Sequence, residues 1–423
     1  MRCAPAARRG FSPLDEELEL LPGHLTPSLV EGLVRLGTWL PFEPAAAMLA
    51  SFTQVAVSEG TARRRTEQAG AAYEAVQTAE VERLERELPP GPDGPAVQQL
   101  SVDGAMVPLV GGRWGEAKLL AIGTVGAPVW EDGEWRVHAG ELSYFGRMTD
   151  AETFGRLATV ETHRRGTEAA GRVCAVMDGA EWQQGFVDLH RPDAVRILDF
   201  PHAAQRLGPI AQAVWGTAEA SATAWVVERT KQLKEHGPGE LLTEIEALLQ
   251  AHPEAEGLAE HAGYLRKREG QMQYPTYRAQ GLPIGSGPVE SANKLVVEAR
   301  LKGAGMHWER RHVDPLLALR CAVCSDRWAE AWEVIARGLR EQAGERQAAR
   351  RQRRAPATEE AAAVVAPAAP AAPAREEPPA AAGKRSTSAG TERRRPAADH
   401  PWRRFHIGRA TDPPRAVRMH AKQ

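Results

Sequence analysis

Four cysteines in 423 residues (Cys3, Cys174, Cys321, Cys324) are too few for a disulfide framework in a chain of this size. No apolar run approaches the roughly 20 residues that a membrane-spanning helix needs. The basic start, MRCAPAARRGF, is followed by no apolar stretch, so it does not read as a secretory signal. No glycine-rich phosphate loop and no Ser-His-Asp arrangement is present. The expectation is a cytoplasmic protein with no membrane partner. Charge of one sign is also lacking overall: the formal net charge is −2. Its distribution is uneven. From Arg351 to the end there are 15 Lys and Arg against 7 Asp and Glu, while the body before it holds 38 and 48. A basic tail on an acidic body suits a polyanionic partner, and it serves solubility equally well.

What is present divides the chain. Residues 1–87 read as a helical region from Ser12 onward. Within it, residues 43–51 form a short amphipathic segment, and after a break residues 58–70 form another. Ser58 stands at an N-cap position and Gly70 at a stop. A tight connection leading to a segment that bears Arg63, Arg64 and Arg65 resembles a DNA-binding helix-turn-helix. A helical bundle with a basic exposed face is the alternative, and both stay open. Residues 88–96 (LPPGPDGPA) form a linker, since so much proline and glycine sustains neither helix nor strand.

The period then changes to alternation at residues 97–110, 116–125 and 135–145, separated by glycine-containing turns. Residues 149–165 read as a helix. Val173-Cys-Ala-Val-Met177 reads as a strand buried on both faces, and residues 195–198 as one more strand. Residues 202–281 are helical throughout, and residues 289–298 form another helix. This order is the skeleton of an α/β, ribonuclease-H-like mixed sheet carrying an all-α insertion. The core spans 97–201 and 282–346. Residues 347–423, rich in Ala, Pro and Arg without apolar periodicity, read as a disordered tail.

Two acids fall at strand positions. Asp103 lies within Gln99-Leu-Ser-Val-Asp-Gly-Ala-Met106, and Asp178 directly follows the buried strand in Val176-Met-Asp-Gly-Ala. A helix after three strands returns the chain so that the fourth strand lies parallel to the first, which sets Asp103 beside Asp178. Adjacent carboxylates repel unless a cation neutralises them, and oxygen donors suit Mg²⁺ or Mn²⁺. A third acid on a nearby helix would complete a two-ion site for in-line displacement at phosphorus. Taken singly, each Asp-Gly also reads as an ordinary turn.

Gly281-Leu-Pro-Ile-Gly-Ser-Gly-Pro-Val-Glu-Ser-Ala-Asn-Lys-Leu-Val-Val-Glu-Ala-Arg-Leu-Lys-Gly-Ala-Gly-Met-His-Trp308 resembles the third-carboxylate helix of ISKra-type bacterial insertion-sequence transposases, relatives of the Mutator-like DDE superfamily. The resemblance extends over roughly residues 10–332 and is most specific in this block. It implies Glu290 as the last metal ligand, with Asp103 and Asp178 as the first two. Leu198-Asp-Phe-Pro-His202 resembles the Asp/Cys-x-x-His signature of the family, giving Asp199 and His202. Asp199 as a plain helix cap and His202 as a core residue form the alternative. Asn293 and Lys294, three and four residues past Glu290, share its helix face. Glu298 is the rival acid, better read as a salt-bridge partner of Lys302. Cys321-Ala-Val-Cys324 has metal-like spacing but no second pair, so it reads as packing. The family's upstream cysteine-rich segment has a last stub around Cys3. Trp182 and Trp308 are candidates for base stacking, with core packing as the simpler role.

The implied activity is that of a DDE transposase of a mobile genetic element. It would cleave element ends with two Mg²⁺ or Mn²⁺ ions and transfer the freed 3′-hydroxyl into target DNA. The implied partner is double-stranded DNA, bound by a homo-oligomer at the bacterial nucleoid. The alternatives are a ribonuclease-H-like nuclease without strand transfer and a non-catalytic, transposase-derived DNA-binding protein.

Overall fold

The computed structural model describes residues 25–216 and 220–362. Three helices come first: α1 (Pro27–Trp39), α2 (Phe42–Thr53) and α3 (Glu59–Glu87). Ser58 caps α3, its Oγ accepting from the Thr61 amide at 3.2 Å, as the sequence predicts. Gly70 does not stop it; the helix runs for 29 residues. A Cβ at Gly70 would lie 2.2 Å from the Pro315 carbonyl oxygen, so the glycine here lets two backbones touch. The short second helix of the helix-turn-helix reading is therefore replaced by a long packed one, with Arg63, Arg64 and Arg65 on its first turns.

Five strands form the main sheet, in the order β5-β2-β1-β6-β7: β1 (Val97–Leu109), β2 (Arg113–Val125), β5 (Ala139–Arg147), β6 (Arg172–Met177) and β7 (Val195–Leu198). The short β3 (Val129–Glu131) and β4 (Glu134–Arg136) make a separate hairpin that the sequence reading merged into β5. β1, β2 and β5 are antiparallel neighbours, whereas β6 and β7 run parallel to β1. The reversal is made by α4 (Ala151–Arg164), capped by Asp150, whose Oδ1 accepts from the Thr153 amide at 2.8 Å. This is the parallel return of the fourth strand expected from the element order.

Alternation decides what covers each face. Leu100 and Val102 of β1 pack with Leu120, Ile122, Phe154 of α4 and Phe186 of α5 (Glu181–His190). Ala105, Val107 and Leu109 face the other way, into a core shared with Leu33, Phe42, Leu49 and Ala62 of the first three helices and with Val289 and Val296. The amino-terminal helices are thus one layer of the sheet's own core, not a separate domain. Residues 88–96 carry no regular structure but are pinned, since a Cβ at Gly94 would lie 2.3 Å from the Gly166 carbonyl.

Two buried arginines join the layers. Arg300 donates to the Gly37 carbonyl at 3.1 Å and Arg320 to the Thr38 carbonyl at 3.4 Å, filling acceptors that the end of α1 leaves open. Neither has a carboxylate partner among the described residues; Arg300 lies over Phe42 and Trp308, and Arg320 over Trp39.

Beyond β7 the chain is helical, as expected: α6 (Phe200–Gln205), α7 (Leu207–Trp215), α8 (Ala220–His236), α9 (Gly239–Ala251), α10 (Leu258–Lys267) and α11 (Tyr274–Ala279). Their apolar faces share a cluster with Cys174, Val176 and Ile197 of β6 and β7. The chain returns through α12 (Gly287–Ala292), a π-helical turn (Asn293–Glu298), α13 (Ala299–Leu301), α14 (Val313–Cys324) and α15 (Trp328–Ala362). Helix α15 passes the predicted tail boundary at residue 347, because Gln, Ala and Arg are strong helix formers there. The rest of the predicted tail, from 363, lies outside the described residues, as do residues 1–24 with Cys3. No helix among the described residues is long and apolar enough to cross a membrane.

Candidate functional site

Strand register sets the acids in a row. The β1–β6 ladder pairs Leu100 with Ala175, and three residues further on both strands stand Asp103 and Asp178. The β6–β7 ladder pairs Met177 with Leu198, so the next residues are Asp178 and Asp199. Side chains alternate, and these three fall on the face that also carries Ala105, Val176 and Ile197. Past Leu100 and Ala175 no ladder bond joins β1 to β6; instead the Gln183 side-chain amide donates to the Val102 carbonyl at 3.0 Å.

Asp103 is half-buried. Its Oδ1 accepts from the Gly104 amide at 2.7 Å and its Oδ2 from the Asn293 side-chain amide at 2.6 Å. Burial pushes its carboxyl above the ordinary range and the Asp178 charge adds to the rise, against those two hydrogen bonds. Asp178 opens a turn in which its Oδ1 accepts from the Ala180 amide at 3.0 Å. Gly179, at a φ of +85°, completes that turn. Gln183 Oε1 accepts from the amides of both Gly179 and Ala180 at 3.1 Å.

Asp199 is fully committed. It caps α6, its Oδ2 accepting from the His202 amide at 2.9 Å and from His202 Nδ1 at 2.6 Å, while Oδ1 accepts from the Ser286 amide at 2.6 Å. The side chain is buried; burial opposes ionisation, but these bonds win and hold its carboxyl below the ordinary value. Both the cap and the Asp-His pair read from the sequence are therefore present. The His202 imidazole is raised above its ordinary 6.5 first by the bond to Asp199, with the charges of Asp178 and Glu290 adding.

Glu290 lies on the first turn of α12, where Ser286 Oγ donates to its Oε1 at 3.2 Å. Among the described residues, the trio whose ligand atoms come within 4.8 Å of one another is Asp199, His202 and Glu290. The predicted trio of Asp103, Asp178 and Glu290 is not that close. Both sets share one site, because His202 feels Asp178 and Glu290 and Asp103 feels Asp178 and His202.

Several contributors carry no signal in sequence spacing. Tyr264 of α10 donates its hydroxyl to the Asp178 carbonyl, and Arg268, one turn on, donates Nε to the Gly179 carbonyl at 2.9 Å. The helical segment thus clamps the Asp178 turn from outside the sheet.

The other candidates resolve simply. Glu298 pairs with Lys302 at 3.0 Å, and Lys294 is exposed. Cys321 is buried and Cys324 partly so, and burial raises both thiols. Trp308 is buried, its indole donating to the Leu301 carbonyl at 2.9 Å, so it offers no face for a base; Trp182 is partly exposed, packs edge-on against Phe154 and has Lys118 Nζ over its ring at 5.4 Å. Arg63 and Arg64 are exposed, and Arg64 and Arg65 line one cleft with Ser58, Thr61 and Gln68. They lie apart in sequence and fold from the acidic row. No protein-family model and no curated protein matches the chain.

Proposed function

We propose that this chain is a DDE-type DNA transposase, cutting and joining phosphodiester bonds at Asp103, Asp178 and Glu290 on a ribonuclease-H-like core. The observation that carries the reading is that Asp103 and Asp178 each stand three residues past the last β1–β6 ladder pair, with the Glu290 helix tied to Asp103 through Asn293. The strand order and the parallel return after three antiparallel strands support the fold assignment. The all-α segment between β7 and α12 fits the insertion that the resemblance implies.

The donor set suits Mg²⁺ or Mn²⁺. It consists of carboxylate oxygens on a half-buried face, and burial together with the Asp178 charge disfavours an ionised Asp103 that lacks a counter-cation. The buried Asn293 Oδ1, without a hydrogen-bond partner among the described residues, belongs to the same amide whose nitrogen donates to Asp103. Asp103, Asp178 and Glu290 would hold the ions, and bound ions would supply the neutralisation and oxygen activation that displacement at phosphorus needs. The chain's own part is orientation. Asn293 fixes Asp103, Gln183 and Tyr264 fix the Asp178 turn, and Ser286 fixes Glu290. Asp199 holds the His202 ring with Nδ1 occupied, which turns Nε2 to the acids.

The first helices and the tail would supply phosphate contacts, and a homo-oligomer on double-stranded DNA is the expected working form. Incubating the chain with candidate element ends tests the reading: Mg²⁺ or Mn²⁺ should give end cleavage and joining, and Ca²⁺ binding without turnover. Cleavage that survives EDTA sinks it, and cleavage without joining favours the nuclease reading.

A further inference from the structure

Arg206 links α6 to α7 one helical turn past His202. Its guanidinium lies 4.2 Å from the centre of the Tyr264 ring. The Tyr264 hydroxyl donates onward to the carbonyl of Asp178. One tyrosine therefore separates Arg206 from the acidic row.

The neighbouring cations are unequally paired. Arg268, 4.1 Å from the same ring, is spent on the Gly179 carbonyl and on Glu181 at 3.5 Å. Lys267 takes the same Glu181 at 2.6 Å. Lys267 and Arg268 thus share one carboxylate, and among the described residues Arg206 has none within ion-pair distance. It is partly exposed, so its charge reaches solvent.

A guanidinium held against an aromatic ring loses part of its freedom, and its N–H donors can match a phosphate in pairs. A polyanion approaching an acidic row is repelled by it, and a cation at the rim offsets that repulsion where the metal ions do not reach. We infer that Arg206 binds a phosphodiester of the DNA strand next to the one being cut. The inference rests on the transposase reading and gives the all-α segment a direct part in holding substrate.

The test uses the full chain, a labelled DNA duplex of arbitrary sequence and the variants Arg206→Gln and Arg206→Lys. Removing one phosphate-binding charge flattens the dependence of log affinity on log salt by about 0.9. Arg206→Gln should show that change with an unaltered melting temperature, and Arg206→Lys should restore the slope. Mn²⁺ uptake, followed by electron paramagnetic resonance, should be unaltered in Arg206→Gln and weakened in Asp178→Asn. An Arg206→Gln slope equal to wild type overturns the inference while leaving the acidic row standing. An Arg206→Lys variant as flat as Arg206→Gln also overturns it, by removing charge as the cause. A wild-type chain that takes up no Mn²⁺ overturns the reading at the acids and, with it, this placement.

Discussion

The Asn293 side-chain amide donates to Asp103 Oδ2 at 2.6 Å and so ties the helix carrying Glu290 to the central strand. The π-helical turn that Asn293 opens is held by Arg320, which donates to the Leu295 carbonyl and, at 3.4 Å, to that of Val296. A π-turn breaks the regular ladder, and the buried arginine takes up two of its carbonyls. Glu290 is thereby presented by a helix fixed at both ends.

The two aspartates that end β6 and β7 should behave differently. Among the described residues one Asp178 oxygen meets no hydrogen-bond donor, whereas both oxygens of Asp199 are occupied. Asp178→Asn should reduce cleavage and strand transfer to background with folding and DNA binding intact. Asp199→Asn should leave measurable cleavage, lowered about 10- to 100-fold as for the loss of a partner that orients a ligand, with a lower melting temperature. The reverse pattern would show Asp199 to be the second catalytic acid.

Arg63, Arg64 and Arg65 stand on the first turns of α3 with no acid partner among the described residues. Replacing all three with Ala should weaken DNA binding and flatten its salt dependence by about 0.9 for each phosphate that is no longer neutralised. Unchanged affinity and slope would mean that the basic face only solubilises the bundle.

Two glycines separate stability from activity. Gly70→Ala pushes a methyl into the Pro315 backbone and should cost about 1–3 kcal/mol, with turnover per folded molecule preserved. Gly179→Ala meets Arg268 Nε at 2.3 Å at a φ of +85° and displaces the Asp178 turn. Its cleavage rate should fall by more than its stability loss explains, measured on samples well below their melting temperature.

His190 sets a pH dependence of stability. Burial lowers its imidazole from 6.5 to about 4, against a hydrogen bond to the Gly155 carbonyl. Between those values the unfolded chain takes up a proton that the folded chain refuses, so stability falls as pH drops through the window and is fully present above 6.5. The loss reaches about 3 kcal/mol in order of magnitude at the acid end. Thermal unfolding from pH 7 to 4 should show it, and His190→Gln should flatten the curve.

The placing of the Asp178 strand beside that of Asp103 was legible because strands advertise themselves by alternation and acids at strand positions interrupt it; that Asp199 stands level with them was not. Ser58, too, is a local signal, since a cap touches its own helix. Gly70 was not legible, because a helix-interior glycine reads as a stop unless the partner backbone is known. Tyr264 and Arg268 were invisible for a related reason. They meet the Asp178 turn across more than 80 residues of chain, and no local pattern encodes which helix closes over a strand end.

Arg300 and Arg320 bear on how such a chain can be rebuilt by evolution. With the Gly37 and Thr38 carbonyls displaced, buried Arg300 would lose the carbonyl it donates to, and Arg320 one of three. The helices proposed to read DNA are therefore not an exchangeable cassette. Grafting them from a relative succeeds only if the end of α1 and positions 300 and 320 change together, so new target preferences arise more readily by altering exposed residues such as Arg63 and Arg64 than by swapping the module.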